Sequence, residues 1–388
     1  MTSAESSGKN AKFDSSRWDI MYWLHVVMTF FKCRHDPKEP PVCDDWRVQL
    51  YCQITGTPVV MQPMVCAILA YSVYLGYQSV YFWMFWAVYA TYIYFDPTPY
   101  QGGYSWQTHF WKSLCWKHGA SYFPIKVHKT VDLPASDGET YFFACHPHGI
   151  IGTGAAASIG CDGANFSYVF PGLRVNLAVL KFCLRIPFAR ELFLSAGCVD
   201  VSRESIEWCL SHGRSVGLCP GGAKEAIHTR CREGPMKLIS DRKGFCRLAL
   251  KHGASVVPVI TFGEMEAFEE YAIARQPWLN KLQLWGVKYT GFSMPLFHGP
   301  HWFFPLLPYR QQLDVCFGRP VKCDVKNVAE LSESEFNNEV DKLHARFLEA
   351  LTDDYYANRD KYGYGERDLV FISSKGDGED GVVQKPPK

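Results

Sequence analysis

No Cys-x-x-Cys pair occurs among the 15 cysteines of this chain, which argues against a zinc ribbon or a thioredoxin-like redox centre. The cysteines are odd in number and scattered singly from Cys33 to Cys323; they read as reduced thiols of a cytosol-facing protein, mostly filling core. An excess of one charge is also missing. Lys and Arg number 40 against 39 Asp and Glu, a formal net charge of +1, whereas binding a phosphate backbone calls for a basic surplus, so no nucleic-acid partner is expected. Met1–Asp14 is polar and lacks the apolar stretch of a cleavable signal peptide. There is no internal repeat.

What the chain does have is apolar and aromatic surface. Hydrophobic residues make up 47% and charged ones 20%, enough for a large core and too apolar for disorder. Trp 12, Tyr 21 and Phe 26 bring the aromatic share to 15%, and a surplus of Trp and Tyr suits the boundary between membrane and water. Positions 48 to 95 carry no charge at all. Within them Met64–Leu75 and Val80–Phe95 are apolar blocks separated by Gly76-Tyr77-Gln78-Ser79. The second block reaches roughly 24 Å as a helix, short of a hydrocarbon core of roughly 30 Å, and the first is shorter. Two short helices dipping into one leaflet fit best, ahead of a single crossing through Gly76 or a buried hairpin of a soluble protein. Lys32, Arg34, Lys38 and Arg47 before the run and Lys112, Lys117 and Lys126 after it place both flanks, and both Thr2 and Lys388, on the cytoplasmic side. Trp18–Phe31 has the mixture expected of a segment lying along the surface.

From Thr98 the texture becomes that of an α/β domain. Tyr141–Cys145, Phe166–Phe170, Ser215–Cys219, Ser255–Phe262 and Leu313–Phe317 read as strands. Leu173–Arg185, Arg203–Ser211 and Arg242–His252 read as helices. Over Ser332–Tyr356 the recurrence of Phe336, Val340, Leu343, Phe347 and Leu351 predicts an amphipathic helix, opened by a Ser332/Glu335 capping box. Alternation of this kind implies a mostly parallel sheet covered on both faces. The division expected is an interfacial segment over 1–58, a membrane hairpin over 59–97, an α/β domain over 98–372 and a polar tail without structure over 373–388.

His146-Pro147-His148-Gly149 is the sharpest chemical feature. It follows a strand at its carboxyl end, where α/β sheets carry their sites, and Pro147 and Gly149 set two imidazoles on a stiff backbone. The small residues of Ile150–Ser158 let a ligand approach and then start a helix, whose N-terminus favours a neutral, basic histidine. No third ligand at recognisable spacing accompanies the pair, so no metal is expected. Pro220-Gly221-Gly222-Ala223-Lys224-Glu225 opens a loop at the same edge, where Glu225 can orient a histidine or line an oxyanion site. Lys243, Arg247 and Lys251, with Arg242 ahead of them, share a helix face that either holds phosphates or is simply solvated.

These blocks resemble the type-2 diacylglycerol acyltransferase family, which also contains monoacylglycerol and wax-alcohol acyltransferases. His146–Gly149 is similar to its HPHG block and Tyr122-Phe123-Pro124 to its YFP block. Arg242-Lys243-Gly244-Phe245, Ala249, Gly253, Val257-Pro258 and Phe262-Gly263-Glu264 follow its long RxGFxxxAxxxGxxxVPxxxFGE block in register. Pro171-Gly172, Arg174, Gly221-Gly222, Glu225, Gly318 and Pro320 fall in the expected order, and the likeness spans roughly Thr98 to Tyr364. The family is similar in its core to glycerolipid acyltransferases with a His-x4-Asp pair, but here Ile151 and Thr153 stand five residues after the two histidines. Glu225 is the candidate acid in their place. Pro300 and Gln311-Gln312 depart from the family pattern and put the acceptor in doubt more than the chemistry.

The resemblance implies a cytosol-facing enzyme of the endoplasmic reticulum membrane, with lipid droplets a second address. It would move a fatty acyl group from acyl-CoA, a co-substrate rather than a resident cofactor, to mono- or diacylglycerol. Membrane lipids are its surroundings, and a homo-oligomer is left open. The expected catalytic residues are His148, His146 and Glu225. Those expected at the substrate are Gly149, Gly221, Gly222, Arg242, Arg247, Lys251, Tyr122, Phe123 and Pro124. Residues two apart share a face in extended chain, so spacing does not choose the base; the resemblance tilts to His148 and leaves His146 open. The alternatives are a wax-alcohol or retinol acyltransferase, or a non-catalytic lipid-droplet hairpin protein.

Overall fold

The computed structural model describes residues 58–104 and 114–384, apart from short stretches at 136–138, 229–231, 233, 291–295, 301–306, 326 and 376–380. The expected surface segment over Trp18–Phe31, the cations from Lys32 to Arg47 together with Lys112, and both termini lie outside the described residues.

In chain order the elements begin with helices α1 (Pro58–Gly76), α2 (Val80–Phe95) and α3 (Leu114–Tyr122), then strands β1 (Lys126–Lys129) and β2 (Tyr141–His146). After short helical segments at Thr153–Ala155, Ala156–Gly160 and Phe166–Val169 come β3 (Val175–Val179), α4 (Ala189–Ser195), β4 (Val199–Asp200), α5 (Arg203–Ser211), β5 (Ser215–Leu218) and α6 (Gly222–His228). Next are β6 (Met236–Ile239), α7 (Gly244–His252), β7 (Ser255–Phe262), β8 (Glu269–Glu270), α8 (Pro277–Thr290), β9 (Phe297–His298) and β10 (Asp314–Phe317). Helix α9 (Glu333–Asn358) and strands β11 (Leu369–Ile372) and β12 (Gly381–Val383) complete the series.

Seven strands form the main sheet in the order β1-β10-β7-β2-β5-β3-β4. The run from β7 to β4 is parallel, and β10 joins antiparallel to β7 with β1 parallel to β10. This is a mixed α/β fold with a parallel-rich sheet and flanking helices. Because alternate side chains point to opposite faces, Phe142 and Ala144 of β2 enter one core with Val256, Ile260 and Phe262 of β7. Helices α7 and α9 cover that face through Phe245, Leu343, Phe347 and Leu351. Tyr141, Phe143 and Cys145 enter the other core with Val257, Val259, Phe166, Phe170 and Phe317. The box that opens α9 forms as expected, Ser332 Oγ accepting from the Glu335 amide and the Glu335 carboxylate from the Ser332 amide.

Two elements differ from expectation. Phe166–Phe170, aromatic enough for a strand, instead begins as a short helix because Asp162 accepts hydrogen bonds from Ser167 N and Oγ at 2.8 and 2.5 Å. Leu173–Arg185, read as a helix, contains β3 and then turns. There the buried Asn176 bridges the carbonyls of Gly102 and Gly197 at 3.0 and 2.8 Å, fixing an extended backbone. The polar tail also contributes structure, since Gly381–Val383 pairs antiparallel with β11, itself parallel to β6.

Helices α1 and α2 occupy the two apolar blocks and are joined by a short turn. A Cβ at Gly76 would stand 2.4 Å from the Phe82 ring, so glycine lets the two helices meet at the turn, and Ser79 caps α2. Among the described residues no helix is long and apolar enough to cross a membrane. Tyr71, Tyr74, Tyr81, Trp83, Phe85, Tyr94 and Phe95 are exposed. The two helices are nonetheless fastened to the α/β body. Val65 packs with Ile186 and Ala189, and Tyr89 donates to Glu191 at 2.8 Å. The fully buried Arg190 pairs with Asp96 at 2.6 Å and with Glu191 at 3.0 Å. Burial alone would raise the Asp96 carboxyl, but bonds from Thr98 and Arg190 hold it below the ordinary value.

Candidate active site

Strand β2 lies between β5 and β7, all three parallel, with Ala144 level with Leu218 and His146 level with Ile260. The loops leaving their carboxyl ends therefore emerge side by side. They bring together His146–Gly149, Pro220–Glu225 and Gly263–Glu264, in the place where parallel sheets present ligand sites.

Glu225 is fully buried on α6. Its Oε1 accepts the His148 amide at 2.7 Å and its Oε2 accepts the Ile239 amide of β6 at 2.9 Å. The same oxygen is 3.9 Å from Nδ1 of His146, an ion-pair distance too long for a hydrogen bond. Burial pushes this carboxyl upward, but the neighbouring imidazole and the two amides outweigh it and leave it below the ordinary value. Gly221 makes the arrangement possible: a Cβ there would lie 1.9 Å from Glu225 Oε2. Gly222, at φ +52°, turns the chain into α6. Arg242 ties the loop down by donating to the carbonyls of Pro220 and Gly221 at 3.1 and 3.0 Å.

The two histidines have different surroundings. His146 is 2% exposed, and among the described residues neither ring nitrogen has a hydrogen-bond partner. It faces a narrow cleft lined by Pro220, Ser240, His344 and Phe347, the Phe347 ring 6.1 Å away. His148 is half-buried, with Nδ1 3.0 Å from the Gly149 carbonyl. A carbonyl only accepts, so Nδ1 carries the proton and the Nε2 lone pair is left as the basic one.

Glu264, given no role of its own in the sequence reading, completes the site. Its two oxygens accept the amides of Thr153 and Gly154 at 2.8 Å each, holding the loop that follows His148. Gly149, at φ +58°, has to be glycine here because a Cβ would stand 2.5 Å from Glu264 Cγ. Burial raises the Glu264 carboxyl to about 7 against the pull of those amides. The signal in the sequence was an acid just past Phe262, at the end of the strand beside β2. The amides of Ile150, Ile151 and Gly152 meet no acceptor among the described residues. Nearby thiols make poor nucleophiles, since burial pushes Cys145 up to about 12.

The other candidates are otherwise engaged. Tyr122 and Phe123 pack with Leu313, Tyr122 donating to the Pro308 carbonyl at 3.0 Å, and Pro124 is exposed on the way into β1. With strands about 4.8 Å apart, β1 stands roughly 14 Å from β2, but Lys126 is level with Asp314 and Asp314 with Phe262, so the block enters the sheet at the same end as Gly263 and Glu264. Lys243 pairs with Asp341 and Lys251 with Glu207, both at 2.8 Å, and Arg247 bonds Asn337. The basic face of α7 is thus ion-paired to α9 and α5.

Comparison with known proteins follows the same residues. The diacylglycerol acyltransferase family model matches residues 75–372, and the chain belongs to that family; it is an acyltransferase. It is 34% identical over 301 residues to 2-acylglycerol O-acyltransferase 1 of Bos taurus, covering 75% of this chain and 86% of the relative. It is 34% identical over 300 residues to diacylglycerol O-acyltransferase 2 of Danio rerio (75% and 80% covered). Against the human protein of that name it is 32% identical over 300 residues (75% and 74% covered). Among solved structures, the 1-acyl-sn-glycerophosphate acyltransferase PlsC of Thermotoga maritima aligns with a TM-score of 0.35 and 13% identity, over 77% of this chain and 98% of that one.

Proposed function

We propose that this protein transfers a fatty acyl group from acyl-CoA to the free hydroxyl of mono- or diacylglycerol, giving di- or triacylglycerol, at the endoplasmic reticulum membrane. The observation that carries the reading is the trio of loops at β5, β2 and β7 in a chain whose relatives bear those activities in their names. His148 Nε2 takes the hydroxyl proton while the alcohol oxygen attacks the thioester carbonyl. The C–S bond then breaks and the imidazolium returns its proton to the departing CoA thiolate. General-base help is worth about 10²–10⁴-fold. The amides of Ile150–Gly152 would receive the oxyanion, a contribution of about 10²–10³-fold per donor. Glu225 acts as a positioning residue, gripping the backbone at His148 and standing beside the ring of His146. Arg247 and Lys251 would have to release Asn337 and Glu207 before taking a phosphate, so ion pairing is the better account of that face. The aromatic hairpin would sit in the cytosolic leaflet, where substrate and product dissolve.

The test is a panel of acceptors offered with one labelled acyl-CoA: diacylglycerol, monoacylglycerol, a long-chain alcohol and retinol. Labelled glyceride from either of the first two is expected. Ester formed only from the alcohol or retinol would overturn the acceptor, and no ester from any would return the chain to a non-catalytic hairpin protein.

A further inference from the structure

Helix α8 carries an apolar stripe that the site does not use. Trp278, Leu282, Trp285 and Tyr289 recur at the four, three, four spacing of one helix face, and they are 58%, 54%, 60% and 66% exposed. One flank is turned inward: Leu279, about 100° round the helix from Trp278, is buried, and α8 packs on α6, the helix that carries Glu225. Lys281 and Lys288 stand one above the other along the edge of the stripe. From Tyr271 to Pro300 the chain has no Asp or Glu and three cations, Arg275, Lys281 and Lys288, although the whole molecule balances to +1. Tyr271 and Ile273, just upstream, are exposed as well.

We infer that α8 is a second membrane contact, separate from the hairpin: it lies in the headgroup layer of an anionic bilayer with the Trp and Tyr stripe inward and the lysines at the phosphates. Two Trp and a Tyr have the amphipathic rings suited to that depth, and lysines beside them can extend to the headgroups while their stems cover apolar surface. The absence of acids supplies the charge complementarity to anionic lipid. Through its packing on α6, the contact sets the Glu225 side of the site against the lipid that delivers the acceptor. The inference rests on the reading that the enzyme works at a membrane, and the experiment separates the two.

The full chain is reconstituted in vesicles of phosphatidylcholine and phosphatidylserine after Trp285→p-benzoylphenylalanine on α8. Parallel samples carry the same photoprobe in place of Phe85 on the hairpin or of exposed Glu349 on α9. Irradiation is expected to give lipid adducts at 285 and 85 but not at 349. A Lys281→Gln/Lys288→Gln double variant should lower the 285 adduct about tenfold in vesicles containing phosphatidylserine and much less in those without it. Lipid adducts at 85 alone would overturn the α8 contact and leave the hairpin reading standing. Adducts at neither site would overturn both. Protein–protein adducts at 285 would replace the bilayer with a second copy of the chain and overturn the inference.

Discussion

Glu264 holds two loop amides with one carboxylate and sits directly beneath the bare Cα of Gly149. Its folded-state value of about 7 stands above the ordinary 4.5, so between those values the folded protein keeps a proton that the unfolded chain has lost. The contribution of this group to stability is therefore full below the unfolded value, declines as pH rises from about 4.5 to about 7, and then levels off. Glu264→Gln should remove that decline, seen as a smaller difference in Tm between about pH 5 and about pH 8 than the wild type has. It should also lower Tm, because the Gln side-chain NH2 replaces one acceptor oxygen and faces a buried N–H donor, and an orphaned donor costs about 1–3 kcal/mol. An unchanged pH slope in the variant would assign the titration to another group. At this scale the sequence was legible where side chains stand next to turn-forming residues: His146 ends a strand, His148 and Glu225 follow strands, and all three accompany Pro or Gly. Glu264 was not singled out, because one acid after a strand looks ordinary until the close approach at Gly149 is visible.

Elements were legible where period and capping agreed. Helix α9 has its apolar residues at helical spacing and a Ser332/Glu335 box, and it runs almost where the pattern puts it. Misreadings arose where a distant or local bond overrode composition, as Asp162 does at Phe166–Val169 and Asn176 does in β3. The fastening of the two N-terminal helices belongs to the same class, since nothing in the spacing of Asp96 and Arg190 reveals that they meet. Arg190→Met leaves Asp96 without its buried partner and should cost about 3–5 kcal/mol, read as a fall in Tm of the detergent-solubilised full chain. Adding Asp96→Asn should recover part of the loss, because no uncompensated charge then remains. A single Arg190 variant that melts with the wild type would mean that the apolar contacts of Val65 with Ile186 and Ala189 suffice.

For the molecule as a whole, alternating strands and helices were enough to foresee a parallel-rich sheet with both faces covered. The antiparallel joining of β10 and the small β6-β11-β12 sheet were not foreseeable, because they depend on pairings between segments far apart in sequence. The small sheet matters to function, since its Ile239 amide fixes one oxygen of Glu225. The proposed base in acyl transfer is His148, held at its backbone by Glu225 and with its Nδ1 beside the Gly149 carbonyl. The most direct test is kcat for labelled acyl-CoA and diacylglycerol in folded, equally abundant His148→Ala and His146→Ala proteins. The account predicts a loss of at least about 10²-fold for His148→Ala, with His146→Ala losing stability at least as much as turnover. A folded His148→Ala enzyme with near-normal kcat, beside an equally folded and dead His146→Ala, would contradict it and make the buried His146 the base.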